Sequence, residues 1–273
     1  MIFPKIIKFK KIFMKQLYKN IFFIILMLLF IQSCKNKESF VPELPPISSF
    51  RIDFSDFANN KTPLENTKNN WEYAVTKIGS WNILVTENIA IPILAYSAAI
   101  SNHNQIYQGE NIWLWEYTFK YEDSDYTAKL FGEVKEGNTT SWEMFISKVG
   151  EFKDFKWFTG EKFENDSVNW TVYNNPKDVG EILSINYSNL GLKYTNMVAN
   201  STENGSYIIY GENNNSDLNS FFTIYNNGKN NLTQIEWDRD NKNGRINDEE
   251  YFQNYNWHCW DENLEDYECN KHL

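Results

Sequence analysis

Histidine and cysteine are scarce in this 273-residue chain, at three each. No H-E-x-x-H or C-x-x-C pair is present, which argues against a zinc site. His103, His258 and His272 sit in different sequence settings. There is no G-x-S-x-G elbow, no phosphate loop of the G-x-x-x-x-G-K-[ST] kind and no G-x-G-x-x-G. Positive charge is also short. Removing residues 1–33 takes six lysines and no acid, and moves the net charge from −10 to −16. Such a surface repels phosphate backbones and excludes nucleic-acid binding as a main role.

Long apolar runs are missing except at the N-terminus. A lysine-rich zone leads into Ile21–Ile31, which is too short to span a bilayer at roughly 20 residues. It reads as the apolar region of a secretory signal. Met14 is an alternative start, because Lys15 and Lys19 already supply the basic zone. The run ends in Ile31-Gln32-Ser33-Cys34, which resembles a bacterial lipobox. That resemblance implies cleavage before Cys34 and lipidation of its thiol and amine. Several acyl chains on one residue give stable anchoring where one chain is marginal. Lys35 follows, not the aspartate that holds lipoproteins at the inner membrane, so the resemblance implies the outer membrane. It leaves the periplasmic or surface face open.

If Cys34 carries lipid, Cys259 and Cys269 remain. Outside the cytoplasm two remaining cysteines pair. The alternative is a thiol nucleophile helped by the adjacent His258. Catalytic Cys–His pairs usually come from separate parts of the chain, which favours the disulfide.

Residues 34–50, rich in proline at Pro42, Pro45 and Pro46, read as an extended tether. Residues 51–273 read as one β-rich domain, long enough for a real core. Apolar groups at Trp71, Val75, Ile78, Trp81, Val85 and Ile89 predict a helix over residues 66–89. Pro92 is expected to kink or end it. Ile93–Ile100 then reads as a second helix or a strand. From Asn111 the period becomes two: Trp113, Trp115, Tyr117, Phe119 and Tyr121 share one face, and Glu116, Thr118 and Lys120 the other. Similar short runs continue to Trp237, separated by Asn- and Gly-rich turns. The expected fold is mainly β: an antiparallel meander of about ten strands, forming a curved sheet or barrel with one N-terminal helix packed on it.

This architecture resembles the half-barrel lipoproteins of the Lol pathway and the calycin barrels. The ending NWHCWDENLEDYEC, residues 256–269, resembles a group of uncharacterised Bacteroidetes outer-membrane lipoproteins. The resemblance implies an outer-membrane lipoprotein and nothing about activity.

Two places carry candidate chemistry. In WDRDNKNGRINDEEY an EF-hand register puts Asn241 and Asn243 at ligand positions, Gly244 at the turn and Glu250 at the end. Arg239 occupies the first ligand position, and a guanidinium has no lone pair to give. Asp238 and Asp240 flank it. The competing reading is a hairpin turn at Asn243-Gly244. Calcium is therefore an open expectation at Asp238, Asp240, Asn241, Asn243 and Glu250, and no other cofactor is expected. The second place is the aromatic face. Trp113, Trp115, Trp142, Trp157 and Trp170 either fill the core or line a ligand site for a lipid or glycan.

Three functions follow as expectations. The first is a lipid-anchored, non-enzymatic envelope protein that binds an apolar ligand or an envelope protein. The second is a purely structural lipoprotein. The third is a polysaccharide hydrolase, for which Glu116 with Glu133 is one of many available carboxylate pairs.

Overall fold

The computed structural model describes residues 40–57 and 69–269. The signal segment, the lipobox and Cys34 lie outside the described residues, as do residues 66–68 of the expected helix. Val41–Leu273 forms one compact unit.

Alternation of apolar and polar residues builds strand after strand. They are β1 (Gln105–Gly109), β2 (Ile112–Tyr121), β3 (Ser124–Val134), β4 (Thr140–Lys148), β5 (Phe152–Lys162) and β6 (Val168–Asn175). Then follow β7 (Asp178–Ser188), β8 (Gly191–Asn196), β9 (Tyr207–Glu212), β10 (Ser220–Asn226), β11 (Asn231–Trp237) and β12 (Gly244–Asp248). Short β13 (His258–Trp260) and β14 (Asp266–Tyr267) complete the sheet. All fourteen pair in sequence order in one open sheet with β1 and β14 at its edges. The meander is as expected, with more strands than ten. The sheet does not close into a barrel. The four additional strands, β1, β12, β13 and β14, hold five, five, three and two residues, too few for a period of two to stand out.

One long helix, α1 (Asn69–Ser101), lies across one face of the sheet, touching β12, β13 and β14 near one edge and β2 near the other. Thirty-three residues make a rod of about 50 Å. The strands from β2 to β14 span roughly 55–60 Å at their usual spacing. The sheet is therefore longer than the helix it spans and curves over it. Trp71, Ala74, Ile78, Trp81, Val85, Ile89 and Ala99 form the buried stripe. Pro92, expected to kink or end the helix, does not end it. It sits on the buried side, and α1 runs on through Ile93–Ile100 to Ser101. Many of its residues are β-branched, which weakens intrinsic helicity. Packing on the sheet holds such a helix.

Beside α1 runs a strap, residues 41–57. Pro42, Pro45, Ser49 and Phe50 are buried, so the proline-rich segment is docked from Pro42 onward and is not a free tether to residue 50. Its prolines fix extended backbone while their rings supply apolar surface. The strap runs opposite to α1. Phe50 packs on Phe158 and Trp170, Phe54 on Phe222, and Phe57 on Trp71 and Trp237. Strap and helix together form the second layer.

A single register row across the inner face explains the core. It starts Trp113, Gly132, Trp142, Gly160, Trp170, each directly opposite the next. The glycines leave room for the indoles: a Cβ at Gly132 or Gly160 would collide with the ring of Trp142 or Trp170. The row continues through Ile185, Tyr194, Ile208 and Ile224, and ends in Thr233 and Asp248. The β4–β5 pairing slips by one residue, from Met144 opposite Phe158 to Phe145 opposite Lys156. Trp157 is the extra residue, as a β-bulge requires. Phe158 consequently takes the inward place that strict alternation gives to Trp157 alone.

Candidate functional site

The strap and α1 do not close on each other completely. A groove of about 450 Å³ remains between Arg51–Ser55 on one side and residues of α1 from Asn82 to Leu94 on the other. Ile52 and Phe54 wall it from the strap, and Val85, Ala90, Ile93 and Leu94 from the helix. Three anchors fix the strap wall. The Tyr194 hydroxyl donates to the Phe50 carbonyl (2.8 Å) and accepts from the Ile52 amide (3.0 Å). Burial pushes that phenol well up, so it stays neutral in this double role. The Trp170 indole donates to the Ser49 carbonyl (3.0 Å), and the Tyr96 hydroxyl to the Pro45 carbonyl (2.6 Å).

At the far end Arg239 clamps the strap. Its guanidinium reaches Asp56 (2.9 Å), Asp53 (3.6 Å) and Glu212 (3.4 Å), and donates to the Tyr210 hydroxyl (3.1 Å). Burial pushes Asp53 up, but hydrogen bonds from Ser55 and the charges of Arg239 and Arg51 outweigh it and hold the carboxyl below its usual range. Tyr210, buried and bonded to Glu212, is pushed up to about 12. The charged groups of the groove, Arg51 and Asp53, lie on the strap, and no histidine or cysteine lines it. The arrangement can hold an apolar chain with one polar end. Its Ser55 hydroxyl bonds the Asp53 carboxylate, which Arg239 also engages.

Among the proposed calcium residues, Asp238 and Asn241 are hydrogen-bonded to each other. Asp238 is the hub of a turn: it accepts from the amides of Asp240 (2.8 Å) and Asn241 (3.2 Å) and from the Asn241 side chain (2.6 Å). Those bonds hold its carboxyl below its usual range against the upward push of burial. Glu250 pairs with Lys229 (2.9 Å). Among the described residues no group of three His, Cys, Asp or Glu is placed to hold a metal. The turn is the six residues 238–243, because the Asp238 amide bonds the Asn243 carbonyl and Trp237 pairs with Gly244. It is not a two-residue turn at Asn243-Gly244. Gly244 belongs to β12, where a Cβ would strike the Trp260 ring. Arg239, which spoils the first ligand position, is the residue that clamps the strap.

The five tryptophans lie on the inner face. Trp142 and Trp170 are fully buried, Trp115 and Trp157 nearly so, and Trp113 is half-buried against Tyr107. Strap and helix cover Trp170 through Phe50 and Tyr96, and only Trp113 of the five is more than slightly exposed, so they form no open stacking platform. The indole N–H groups of Trp113, Trp142 and Trp157 have no partner. Cys259 and Cys269 are joined in the expected disulfide.

On the outer face Glu133, Glu143 and Glu161 border a second groove of about 510 Å³. Glu143 pairs with Lys156 (2.7 Å), Glu161 with Lys135 (3.9 Å), and Glu133 accepts from Ser141 (3.3 Å). Glu116 lies opposite Lys129, four residues along β3 from Glu133. That is about 13 Å along the strand, beyond the roughly 5–9.5 Å that paired glycosidase carboxylates span.

Two polar centres gave no signal in the sequence. Asp248, fully buried, accepts from Thr233 (2.6 Å), Tyr73 (2.8 Å), Asn231 (2.8 Å) and the Tyr251 amide (3.2 Å), and pairs with Lys77 (2.9 Å). Burial pushes its carboxyl up, yet these donors prevail and hold it at about 2. Asp266, inside the disulfide loop, accepts from the amides of Asn69 (3.2 Å) and Asn70 (3.0 Å) and so caps α1. An N-cap aspartate at Asp248 before Glu249 and Glu250 was the one local hint. No protein-family model, no curated protein and no solved structure matches this chain.

Proposed function

We propose that this chain is a lipid-anchored, non-enzymatic protein of the outer membrane, and that its domain binds an apolar, lipid-like chain in the groove between strap and α1. One observation carries the reading: Ile52, Phe54, Val85, Ala90, Ile93 and Leu94 wall a groove between strap and helix that Arg51, Asp53, Ser55, Asn82 and Thr86 edge with polar groups. Arg51 at its rim suits an anionic headgroup or carboxylate. The lipobox at Cys34 supplies the address. A binding role is favoured over hydrolysis because the outer-face carboxylates are engaged by lysine or serine partners.

The experiment is titration of the full-length mature protein with a fluorescent fatty acid whose emission rises in apolar surroundings. A saturable rise is expected, lost in Ala90→Phe, which fills the groove from its helix wall. A rise that does not saturate, or one that Ala90→Phe leaves untouched, contradicts the reading.

A further inference from the structure

The outer side of α1, facing away from the sheet, changes character along its length. Its first half presents Glu72, Thr76 and Ser80 to solvent. Its second half presents Ile83 at 59 % exposure and Leu94 at 39 %, with Thr86 and Glu87 exposed and Ala90, Ile91 and Ala98 half-exposed between and beyond them. From Gly79 to Ser101 the only charged residue is Glu87. By length and composition α1 is apolar enough to cross a bilayer, yet its other side is the spine of the core. Packing needs one apolar stripe and leaves the second unexplained. Large apolar residues grouped on a surface mark an interaction site.

The position of the strap says what covers this stripe. The Pro45 carbonyl is bonded by Tyr96, which lies in the apolar half of α1, and Pro42 is already buried. Seven residues, 35–41, separate the expected lipidated Cys34 from that buried proline. Fully extended, they reach about 25 Å. Val41, where the docked unit begins, is itself exposed. A short leash therefore holds the apolar half of α1 and the neighbouring β5–β6 turn, where Glu43 of the strap shares Lys162 with Asp166, within reach of the lipid surface, and not the polar helix start. The near absence of charge on that half is the complement a bilayer requires, given a protein that is otherwise strongly acidic.

We propose that the outer face of α1 from Ile83 to Ala98 lies flat on the membrane that the Cys34 anchor holds, and so fixes the orientation of the domain. The groove walled by Leu94 and Ile93 then opens toward the bilayer. This inference rests on the anchored reading of Cys34, and its test separates the two. Full-length mature protein is reconstituted into phosphatidylethanolamine vesicles containing a minor share of phosphatidylglycerol. It carries a photo-crosslinking side chain at one position, as Ile83→p-benzoylphenylalanine, Leu94→p-benzoylphenylalanine or, for comparison, Val179→p-benzoylphenylalanine. Val179 is exposed on β7. Ile83 and Leu94 are exposed too, so the substitutions leave the core alone, and circular dichroism checks this. Mass spectrometry of the N-terminal peptide reports lipidation separately. The expected result is phospholipid adducts from positions 83 and 94 and none from 179. With Cys34 lipidated, no lipid adduct at 83 or 94, a crosslinked dimer there in its place, or equal adducts at 179 overturns the inference. An N-terminal peptide without lipid overturns the anchor reading on which it rests, and with it the proposed orientation.

Discussion

The two ends of α1 are fastened to the sheet by different chemistry. Near β2–β6 the contact is aromatic: tryptophans on alternate strands, glycines opposite them, and the Tyr117 hydroxyl donating to the Ala95 carbonyl (2.6 Å). Near β11–β14 aromatic packing, Trp71 on Trp260 and Phe57 on Trp237, is joined by buried polar contacts. Asp248 gathers five donors, Asp266 caps the helix, and the Asn70 side chain donates to the Cys259 carbonyl (2.9 Å) beside the disulfide. The aromatic end needs only volume and alternation. The polar end needs each donor matched to an acceptor, because a buried carboxylate is tolerated only when its lone pairs are filled. The aromatic end also lies under the helix half that is apolar outside, and the polar end under the half that is polar outside. The helix is thus amphipathic along its length as well as around its girth.

This contrast can be broken from either side, and the largest effect is expected at the polar end. Asp248→Ala strands the Lys77 ammonium and four neutral donors. Chemical denaturation should show a loss of about 3–5 kcal/mol, the usual cost of removing one partner of a buried ion pair. Asp248→Asn keeps an acceptor and should lose less. At the aromatic end Gly160→Ala drives a methyl into the Trp170 ring, and the same measurement should show a cost of up to about 3 kcal/mol. Trp170→Leu in the same chain should return part of it, because the obstructing ring is gone.

Reducing Cys259–Cys269 should cost about 2–3 kcal/mol. Hydrogen exchange should place the loosening at β13, β14 and the first turn of α1, with β2–β6 unchanged. Acid should act at the same end. Asp248 is held at about 2 against an ordinary 3.8. Its contribution is present above the ordinary value and is lost as pH falls from about 4 toward 2, roughly 2 kcal/mol in all. Asp248→Asn should remove that part of the acid dependence. The smallest expected effect on stability is Leu94→Glu, within about 0.5 kcal/mol. The same change should lower the affinity for a fatty acid, since Leu94 walls the groove.

The aromatic end was legible in the sequence and the polar end was not, for a physical reason. Alternation from Trp113 to Tyr121 is a local, repeating signal, and the strands it predicts are present. It missed Phe158, which the bulge at Trp157 brings into the core beside that tryptophan. Pro92 does not end the helix, because the packing of a long helix outweighs one missing hydrogen bond. Asp248 and Asp266 carry no period. Their partners lie at separations of up to 197 residues, and nothing in a local window shows that an aspartate will be buried. Arg239 taught a related lesson: the residue that broke a calcium motif was doing other work, holding Asp56 and the strap. The Cys259–Cys269 pairing was legible because counting cysteines needs no geometry.

The central claim is that the groove beside α1 holds an apolar chain on a membrane-anchored protein. Native mass spectrometry of the mature protein, purified from membranes in mild detergent, tests it most directly. The account predicts a stoichiometric added mass in the acyl-lipid range, beyond the covalent lipid on Cys34, that disappears in Ala90→Phe. A bare lipidated chain, or an added mass that survives Ala90→Phe, would contradict it.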